Sequence, residues 1–265
     1  TVDALSEGGE TNLTLRVNGK PDASTGLDMP TQMLCGHIPA LLHPAPHDAL
    51  VVGLGSGVTA GALAQHPELE RIEVVEISPE VVEAARWFAS HNHGVHRHPK
   101  VRLVVDDAKS FLKTTRRTYD IIVSEPSNPW MAGVAGVFSR EYYTDCRSRL
   151  ATNGLMLQWV QAYETDDEVL EIVLNTFLSV FPYASVWQTD VMDLLLVGSL
   201  APPAVDMPLL QQRFDHPAVR ADLERIDMFR LPVLLAREVI PAVDTRHFLP
   251  PTGRVHSDYY PILEF

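Results

Sequence analysis

A glycine turn and an acidic residue occupy the positions at which a βαβ unit would hold a nucleoside. The turn Gly53-Leu54-Gly55-Ser56-Gly57 follows the apolar run 49–52 and precedes the apolar segment 58–65. Glycines permit a tight turn and let a ligand approach backbone N–H groups at a helix start. Glu76 ends the next predicted strand, where a carboxylate can accept both ribose hydroxyls. Together they predict a nucleoside-type cofactor site, whereas the turn alone is also compatible with a structural role.

Two aspartates follow the third predicted strand and narrow the class of cofactor. Asp106 and Asp107 precede Ala108, and either carboxylate is well placed to accept a hydrogen bond from an adenine amino group. The alternative is helix capping, and we expect one of the two to do only that. Val58 stands where a dinucleotide fingerprint has its third glycine, so the turn favours a class I S-adenosylmethionine fold.

A third candidate is the loop after the predicted strand 121–123. Its sequence, Ser124-Glu125-Pro126-Ser127-Asn128-Pro129-Trp130, brings a carboxylate, an amide and an indole to the ligand-binding edge of the sheet. Glu125 is predicted to bind, and to deprotonate, an amine that attacks a sulfonium carbon. Gly133 and Gly136 follow, as expected of a loop that folds over a substrate. The competing interpretation is a rigid turn whose Glu125 faces water.

The elements that must position these residues alternate along the chain. Residues 13–17 alternate apolar and polar before Asn18-Gly19, which predicts a β-hairpin in region 1–27. Apolar positions from Met29 to Leu42 predict a helix. Strands and helices then alternate to residue 200, which predicts a mostly parallel, doubly wound α/β sheet with an antiparallel closing pair. A third region, 201–265, is predicted to hold short helices separated by prolines.

Composition excludes several classes of function. Apolar residues make up 46% of the chain, and the formal charge of −13 repels phosphate backbones, which excludes nucleic acid as a partner. Cys35 and Cys146 give neither a disulfide framework nor zinc spacing, so no metal is predicted and a reducing, cytoplasmic compartment is expected. No apolar run reaches the ~20 residues of a membrane helix.

Four histidines crowd into one predicted loop. His91, His93, His96 and His98 lie beside Gly94. They suggest either a solvated loop or a site for a metal or a partner. We expect the solvated loop.

The order of the motifs resembles the spermidine synthase (polyamine aminopropyltransferase) family from about residue 13 to residue 200. The likeness rests on the segments 28–32, 43–46, 53–57, 75–77, 106–108, 119–120, 125–129 and 138–143. Segment 124–130 and the tail 258–265 are similar to bacterial members fused behind membrane-spanning segments. The chain therefore resembles the soluble, cytoplasmic-side domain of such a membrane protein.

This resemblance implies a Rossmann-like class I transferase fold behind a small β-hairpin region. It implies transfer of an aminopropyl group from decarboxylated S-adenosylmethionine to a small amine, by a homodimer. Glu76 would hold the ribose, Asp107 the adenine, and Gln32 the cofactor end of the cleft, while Glu125 falls on the family's catalytic aspartate. The other predicted cofactor contacts are Gly53, Gly55, Ser56, Gly57, Ile77, Asp106 and Ala108. The predicted substrate contacts are Asn128, Trp130, Gln158 and Tyr163.

Three departures from the family pattern bear on the reaction. Ser56 replaces the aspartate that holds the aminopropyl ammonium, Asn128 replaces a second acidic residue, and a tyrosine is replaced near Thr31. Without the first carboxylate, the N–H groups of the turn are free to accept a carboxylate, which only intact S-adenosylmethionine carries. Both forms of the cofactor therefore stay open.

Four reactions or roles are compatible with these residues. The first is transfer of an aminopropyl or aminocarboxypropyl group to an amine. The second is intramolecular cyclisation or lyase cleavage of S-adenosylmethionine. The third is N-methyl transfer, because Asn128-Pro129-Trp130 has some likeness to the Asn-Pro-Pro-Tyr loops of amino-methyltransferases. The fourth is cofactor sensing without catalysis.

Overall fold

A small antiparallel sheet forms the N-terminal part of the computed structural model, which describes residues 1–7, 10–127, 133–162, 166–248 and 253–263. Its strands are β1 (Val2–Glu7), β2 (Glu10–Val17) and β3 (Lys20–Ser24), in that order. The predicted hairpin is confirmed, because Asn18 (φ 50°) and Gly19 (φ 84°) both take the left-handed conformation of a two-residue turn. Strand β1 is an addition that the hairpin signal did not predict.

The main sheet is mixed, with five parallel strands and an antiparallel group at one side. Its strands are β4 (Asp48–Val52), β5 (Arg71–Glu76), β6 (Val101–Val105), β7 (Tyr119–Ser124), β8 (Leu150–Gln161), β9 (Tyr183–Asp190), β10 (Asp193–Ser199) and β11 (Glu238–Ile240). They lie in the order β11-β9-β10-β8-β7-β4-β5-β6. The chain leaves β4 toward β5 on one side and places β7 on the other, so the topological switch point lies between β4 and β7.

Helices cover both faces of this sheet. They are α1 (Met29–Leu42), α2 (Val58–Ala64), α3 (Pro79–Ala84), α4 (Ala108–Thr114), α5 (Arg140–Arg149), α6 (Asp167–Val180), α7 (Met207–Phe214), α8 (Pro217–Glu224), α9 (Leu231–Leu235) and α10 (Thr245–Phe248). Alternate residues of each central strand point to opposite faces: Val51 packs with α1 and α2, and Leu50 with α5 and α6. In the described part of the chain, no helix is both long and apolar enough to cross a bilayer.

Helix α1 is a deeply buried helix that positions the candidate site. Its bounds agree with the prediction, and Pro30 in its first turn fits the start of a helix. Twelve of its residues are buried, so α1 is apolar around most of its circumference rather than along one stripe. Because α1 is buried, its first turn holds Gln32 in a fixed position, while Leu42 ends the helix.

One predicted helix start differs from the structure. The pattern Thr165-x-x-Glu168 predicts a capping box, but the side chain of Asp166 accepts the hydrogen bond from the backbone N–H of Val169. Thr165 lies outside the described residues. An aspartate caps a helix as well as a threonine does, so Thr165 and Asp166 were both possible caps. The capping-box prediction named Thr165, whereas the structure uses Asp166.

The C-terminal region holds short helices, as predicted, and packs on the α1 face of the sheet. Leu210, Phe214, Val219 and Leu223 belong to the same hydrophobic core as residues of α1 and β4. The core therefore runs across residue 200, where the sequence shows a change of pattern.

A buried hydrogen-bond network ties this region to α1 around Asp222. The Asp222 carboxylate contacts His37 at 2.9 Å, His93 at 2.7 Å and Arg225 at 2.5 Å, and His37 contacts His66 at 3.0 Å. Burial alone would raise the pKa of Asp222, but the hydrogen bonds from His37 and His93 hold that pKa well below its usual range. His93, from the loop expected to be only solvated, is thus a partner of Asp222 while remaining partly exposed.

We predict that Asp222→Ala lowers the free energy of unfolding by roughly 3–5 kcal/mol, because it leaves His37 buried without its carboxylate. Glu224→Ala, on the same helix, removes only the exposed pair with Arg220 and should cost under about 1 kcal/mol. Urea denaturation of both variants measures the difference. Equal losses would show that the Asp222 network does not anchor the tail.

Candidate active site

A cleft opens at the carboxyl ends of β4, β5, β6 and β7, over the topological switch point. Its volume is about 350 Å³, and the N-terminal sheet closes one side through Asn18 and Asp22. The structure brings Glu125 and most of the predicted cofactor residues to its wall: Gln32, Gly53, Gly55, Ser56, Glu76, Ile77, Asp106, Asp107 and Ala108. Asn128, Trp130 and Tyr163 lie outside the described residues.

Gly53 allows the glycine turn to touch the backbone of Glu125, just after the end of β7. Its φ is 91°, which a side chain rarely tolerates, and its N–H donates to the carbonyl of Val75 at 2.9 Å. A Cβ at this position would lie 2.8 Å from the backbone oxygen of Glu125. Glycine is therefore required here for β4 and β7 to present their ends side by side.

Glu76 is a fixed carboxylate on the cleft wall. Its Oε2 accepts from the N–H of Leu54 at 2.9 Å and its Oε1 from the N–H of Ser78 at 2.8 Å. Burial raises its pKa above the usual value, and these backbone hydrogen bonds offset part of that rise. Its role with a ribose stays a prediction. The two hydrogen bonds hold the carboxylate at the wall of the cleft.

The two aspartates after β6 divide their roles. Asp107 caps α4, because its Oδ2 accepts from the N–H of Ser110 at 2.8 Å, and Asp106 accepts from the N–H of Asp107 at 2.8 Å. Capping thus falls on Asp107, the residue to which the resemblance assigns the adenine. Both carboxylates nevertheless line the cleft.

Ser56 and Gln32 join the glycine turn to α1. The Ser56 hydroxyl donates to Gln32 Oε1, and Gln32 Nε2 donates to the Ser24 carbonyl at 2.8 Å and to Asp28 Oδ2 at 3.0 Å. Both side chains are buried. The Ser56 side chain is therefore hydrogen-bonded to α1. It carries no charge, whereas the family pattern has an aspartate at this position.

Glu125 has one satisfied and one unsatisfied oxygen. Its Oε2 contacts the Thr59 hydroxyl at 2.9 Å, whereas Oε1 is buried without a hydrogen-bond partner among the described residues. Burial raises the pKa of Glu125 to about 8, and the hydrogen bond from Thr59 offsets part of the rise. Without a ligand the carboxyl group is therefore mostly protonated at neutral pH.

Thr59 can serve both protonation states of Glu125. Its hydroxyl lies 2.6 Å from the carbonyl of Gln32 as well as 2.9 Å from Glu125. A hydroxyl has one proton to donate, so it donates to Gln32 and accepts from Glu125 when the carboxyl is protonated. When Glu125 is ionised, the hydroxyl turns and donates to it.

Sequence reasoning selected Gln158 on β8, but the structure places other β8 residues on the cleft. Gln158 is fully buried and does not line the cleft, whereas Trp159 and Gln161 do. Gln161 Oε1 is buried without a partner in the described chain, as is Glu125 Oε1. The missed signal is the strand alternation, which puts 159 and 161 on the face opposite 158. Asp22, on β3, was also missed.

The charge of the cleft is one-sided. Its described lining contains the carboxyl groups of Asp22, Glu76, Asp106, Asp107 and Glu125, and no lysine, arginine or histidine. Such a cleft favours cationic ligands over anionic ones. The arrangement suits a sulfonium or an ammonium group.

Fold and site together define a Rossmann-like α/β protein of the class I S-adenosylmethionine-dependent transferase type. The spermine/spermidine synthase domain model matches residues 29–195, more than half of the chain, and the chain belongs to that family. The chain also resembles a spermidine synthase crystallised with the transition-state analogue AdoDATO, with a TM-score of 0.72 and 19% identity over 94% of this chain and 84% of that one. At this identity the likeness shows the fold.

Curated relatives carry names from the same family. The spermidine synthase of Dictyostelium discoideum is 34% identical over 125 residues, which are 47% of this chain and 44% of the relative. Polyamine aminopropyltransferase 1 of Pseudomonas aeruginosa is 34% identical over 122 residues, 46% of this chain and 42% of the relative. The chain matches both relatives over less than half of their length.

We predict that Thr59→Val raises the pKa of Glu125 above about 8, because the variant loses the donor that stabilises the ionised carboxylate. Thr59→Ser keeps the hydroxyl and should restore the original value. Carbon-13 NMR titration of the glutamate carboxyl groups measures the shift, with Glu125→Gln identifying the signal. An unchanged or lowered pKa in Thr59→Val would contradict this role.

Stability should also respond to Glu125. Its pKa is about 8 in the folded chain against a usual 4.5, so the unfolding free energy falls as the pH rises between these values. Glu125→Gln does not titrate and should gain stability relative to the parent between about pH 5 and about pH 8.5. The same change at exposed Glu70 is the control. Urea curves that differ by the same amount at both pH values would refute the prediction.

Proposed function

We propose that the protein transfers an aminopropyl group from decarboxylated S-adenosylmethionine to an amine and releases methylthioadenosine. One observation carries the proposal: Glu125 is buried at the switch point of an acidic cleft, and its Oε1 has no hydrogen-bond partner among the described residues. The names of the family relatives support the same reaction.

The transfer step needs one base, which accepts the proton that the amine loses, and its atoms balance without a metal. The amine nitrogen attacks the propyl methylene carbon bonded to the sulfonium, and the new C–N bond forms as the C–S bond breaks. The C–S electron pair stays on sulfur, which leaves methylthioadenosine neutral. Ionised Glu125 takes the proton that the attacking nitrogen must lose. A nearby sulfonium cation lowers the pKa of Glu125 from about 8, so donor binding favours the ionised base.

The charge of the cleft favours the decarboxylated donor. Intact S-adenosylmethionine would bring a carboxylate into a lining that has five carboxyl groups and no cationic side chain among its described residues. Like charges at short range disfavour that complex. Backbone N–H groups of the turn are the remaining means of holding a carboxylate, so intact S-adenosylmethionine stays in the test as a competing donor.

The acceptor is proposed to be a small diamine. Glu125 Oε1 and Gln161 Oε1 both lack donors among the described residues, and both line the same cleft. An amine at each end of one substrate would supply N–H donors to both atoms. Glu125 would then act on the attacking amine, and Gln161 would hold the distal one.

Other features stay predictions from the resemblance. These are the homodimer, the cytoplasmic location and the membership of a longer membrane-attached protein. The roles assigned to Asn128, Trp130 and Tyr163 also stay predictions.

The test is to incubate the protein with decarboxylated or intact S-adenosylmethionine, with and without putrescine, and to identify the released nucleoside. We expect methylthioadenosine from the decarboxylated donor only when the amine is present. Glu125→Gln should lower kcat by about 10²- to 10⁴-fold with little change in donor binding, because the base is lost. Glu70→Gln, the same change at an exposed position, should leave both unchanged.

Each other outcome points to a different reaction. Methylthioadenosine released without an amine would indicate cyclisation or lyase cleavage. S-adenosylhomocysteine would indicate methyl transfer, and donor binding without turnover would indicate a sensor. Full activity of Glu125→Gln would remove Glu125 from the mechanism.

A further inference from the structure

A second cavity, larger than the cleft, lies at the opposite edge of the main sheet. Its volume is about 550 Å³, within the range of about 300–1,000 Å³ usual for small-molecule sites. The start of β8, the end of β10 and the last turn of α1 form its inner wall, and residues 200–205 with the C-terminal region form the outer one. It therefore has no wall in common with the glycine turn or with Glu125.

Glu238 is the one charged residue in the described lining of this cavity. It stands directly opposite Trp187 in the antiparallel pairing of β11 with β9, so the carboxylate and the indole project from the same face of the sheet. No hydrogen bond or ion pair to the Glu238 carboxylate is formed by the residues that the structure describes. Burial raises the pKa of Glu238 above its usual value.

Three further polar side chains of the cavity wall make hydrogen bonds to neighbours. Trp187, which is fully buried, donates from Nε1 to Ser185 Oγ at 2.8 Å, and Ser199 Oγ donates to the carbonyl of Ala201 at 2.7 Å. Leu155, Val197, Leu235 and the prolines that follow residue 201 supply apolar surface. A ligand that fills the cavity thus meets apolar walls, the neutral side chains of Thr152 and Asn153, and a carboxylate without a partner among the described residues.

We propose that this cavity is a binding site for an organic monocation with an apolar body, such as an alkylammonium compound. The ammonium would lie against the Glu238 carboxylate, because opposite charges attract and the described lining of the cavity holds no other charged side chain. The alkyl body would lie against the apolar wall. The site is independent of the proposed transferase reaction.

Isothermal titration calorimetry with hexyltrimethylammonium tests the proposal on the chain as it exists. We expect saturable binding of one equivalent, and at least about tenfold weaker binding of hexan-1-ol and hexane-1-sulfonate, which match the chain but not the charge. These comparisons use the unaltered protein and so do not depend on any variant folding. No detectable binding of hexyltrimethylammonium, or equal binding of hexan-1-ol, would overturn the proposal.

Two matched variants locate the bound cation. Glu238→Gln should weaken hexyltrimethylammonium at least about tenfold, whereas Glu70→Gln, the same change at an exposed position outside both cavities, should leave its affinity unchanged. Far-ultraviolet circular dichroism checks that both variants fold. Unchanged affinity in Glu238→Gln would place the cation elsewhere, for example in the acidic cleft, and would overturn the proposal.

Discussion

Burial of the Glu125 carboxyl group is the constraint around which the cleft is arranged. Taking a carboxylate out of water costs several kcal/mol unless charge or hydrogen bonds replace the water. The fold supplies only one such contact, from Thr59 on α2, and leaves Oε1 without a donor among the described residues. The group therefore holds its proton at neutral pH, and a cation bound beside it would favour the ionised form.

Three other carboxyl groups of the cleft differ from Glu125 because backbone groups hold them. Glu76 accepts two backbone N–H groups, and Asp106 and Asp107 accept one each. Such contacts fix the position of each group before a ligand binds. Glu125 has no backbone N–H donor to its carboxyl group among the described residues, and burial raises its pKa to about 8. The cleft thus combines carboxyl groups that the backbone holds in place with one buried group whose charge responds to its surroundings.

Much of the fold and site follows from local patterns in the sequence. Helix α1 has the predicted bounds because an apolar period and flanking breakers define it. The glycine turn and Glu125 could be found because ligand sites of such sheets lie at strand ends. Strand β1 escaped prediction because residues 2–7 alternate poorly, with Ala4 beside Leu5, and because the hairpin signal Gly8-Gly9 between the paired residues Glu7 and Glu10 was overlooked. Gln158 was chosen over Gln161 because spacing alone does not say which face of β8 meets the cleft.

Long-range packing accounts for what local patterns could not show. Asp222 lies in a polar-looking stretch of the tail, yet its carboxylate is buried against His37 at the middle of α1. The same helix carries Gln32, whose side chain meets Ser56 and whose carbonyl meets Thr59 beside Glu125. A helix packed this tightly moves as a rigid body, so a contact that fixes His37 also fixes Gln32. The C-terminal region thus packs on the helix that carries Gln32, although none of its described residues lines the cleft.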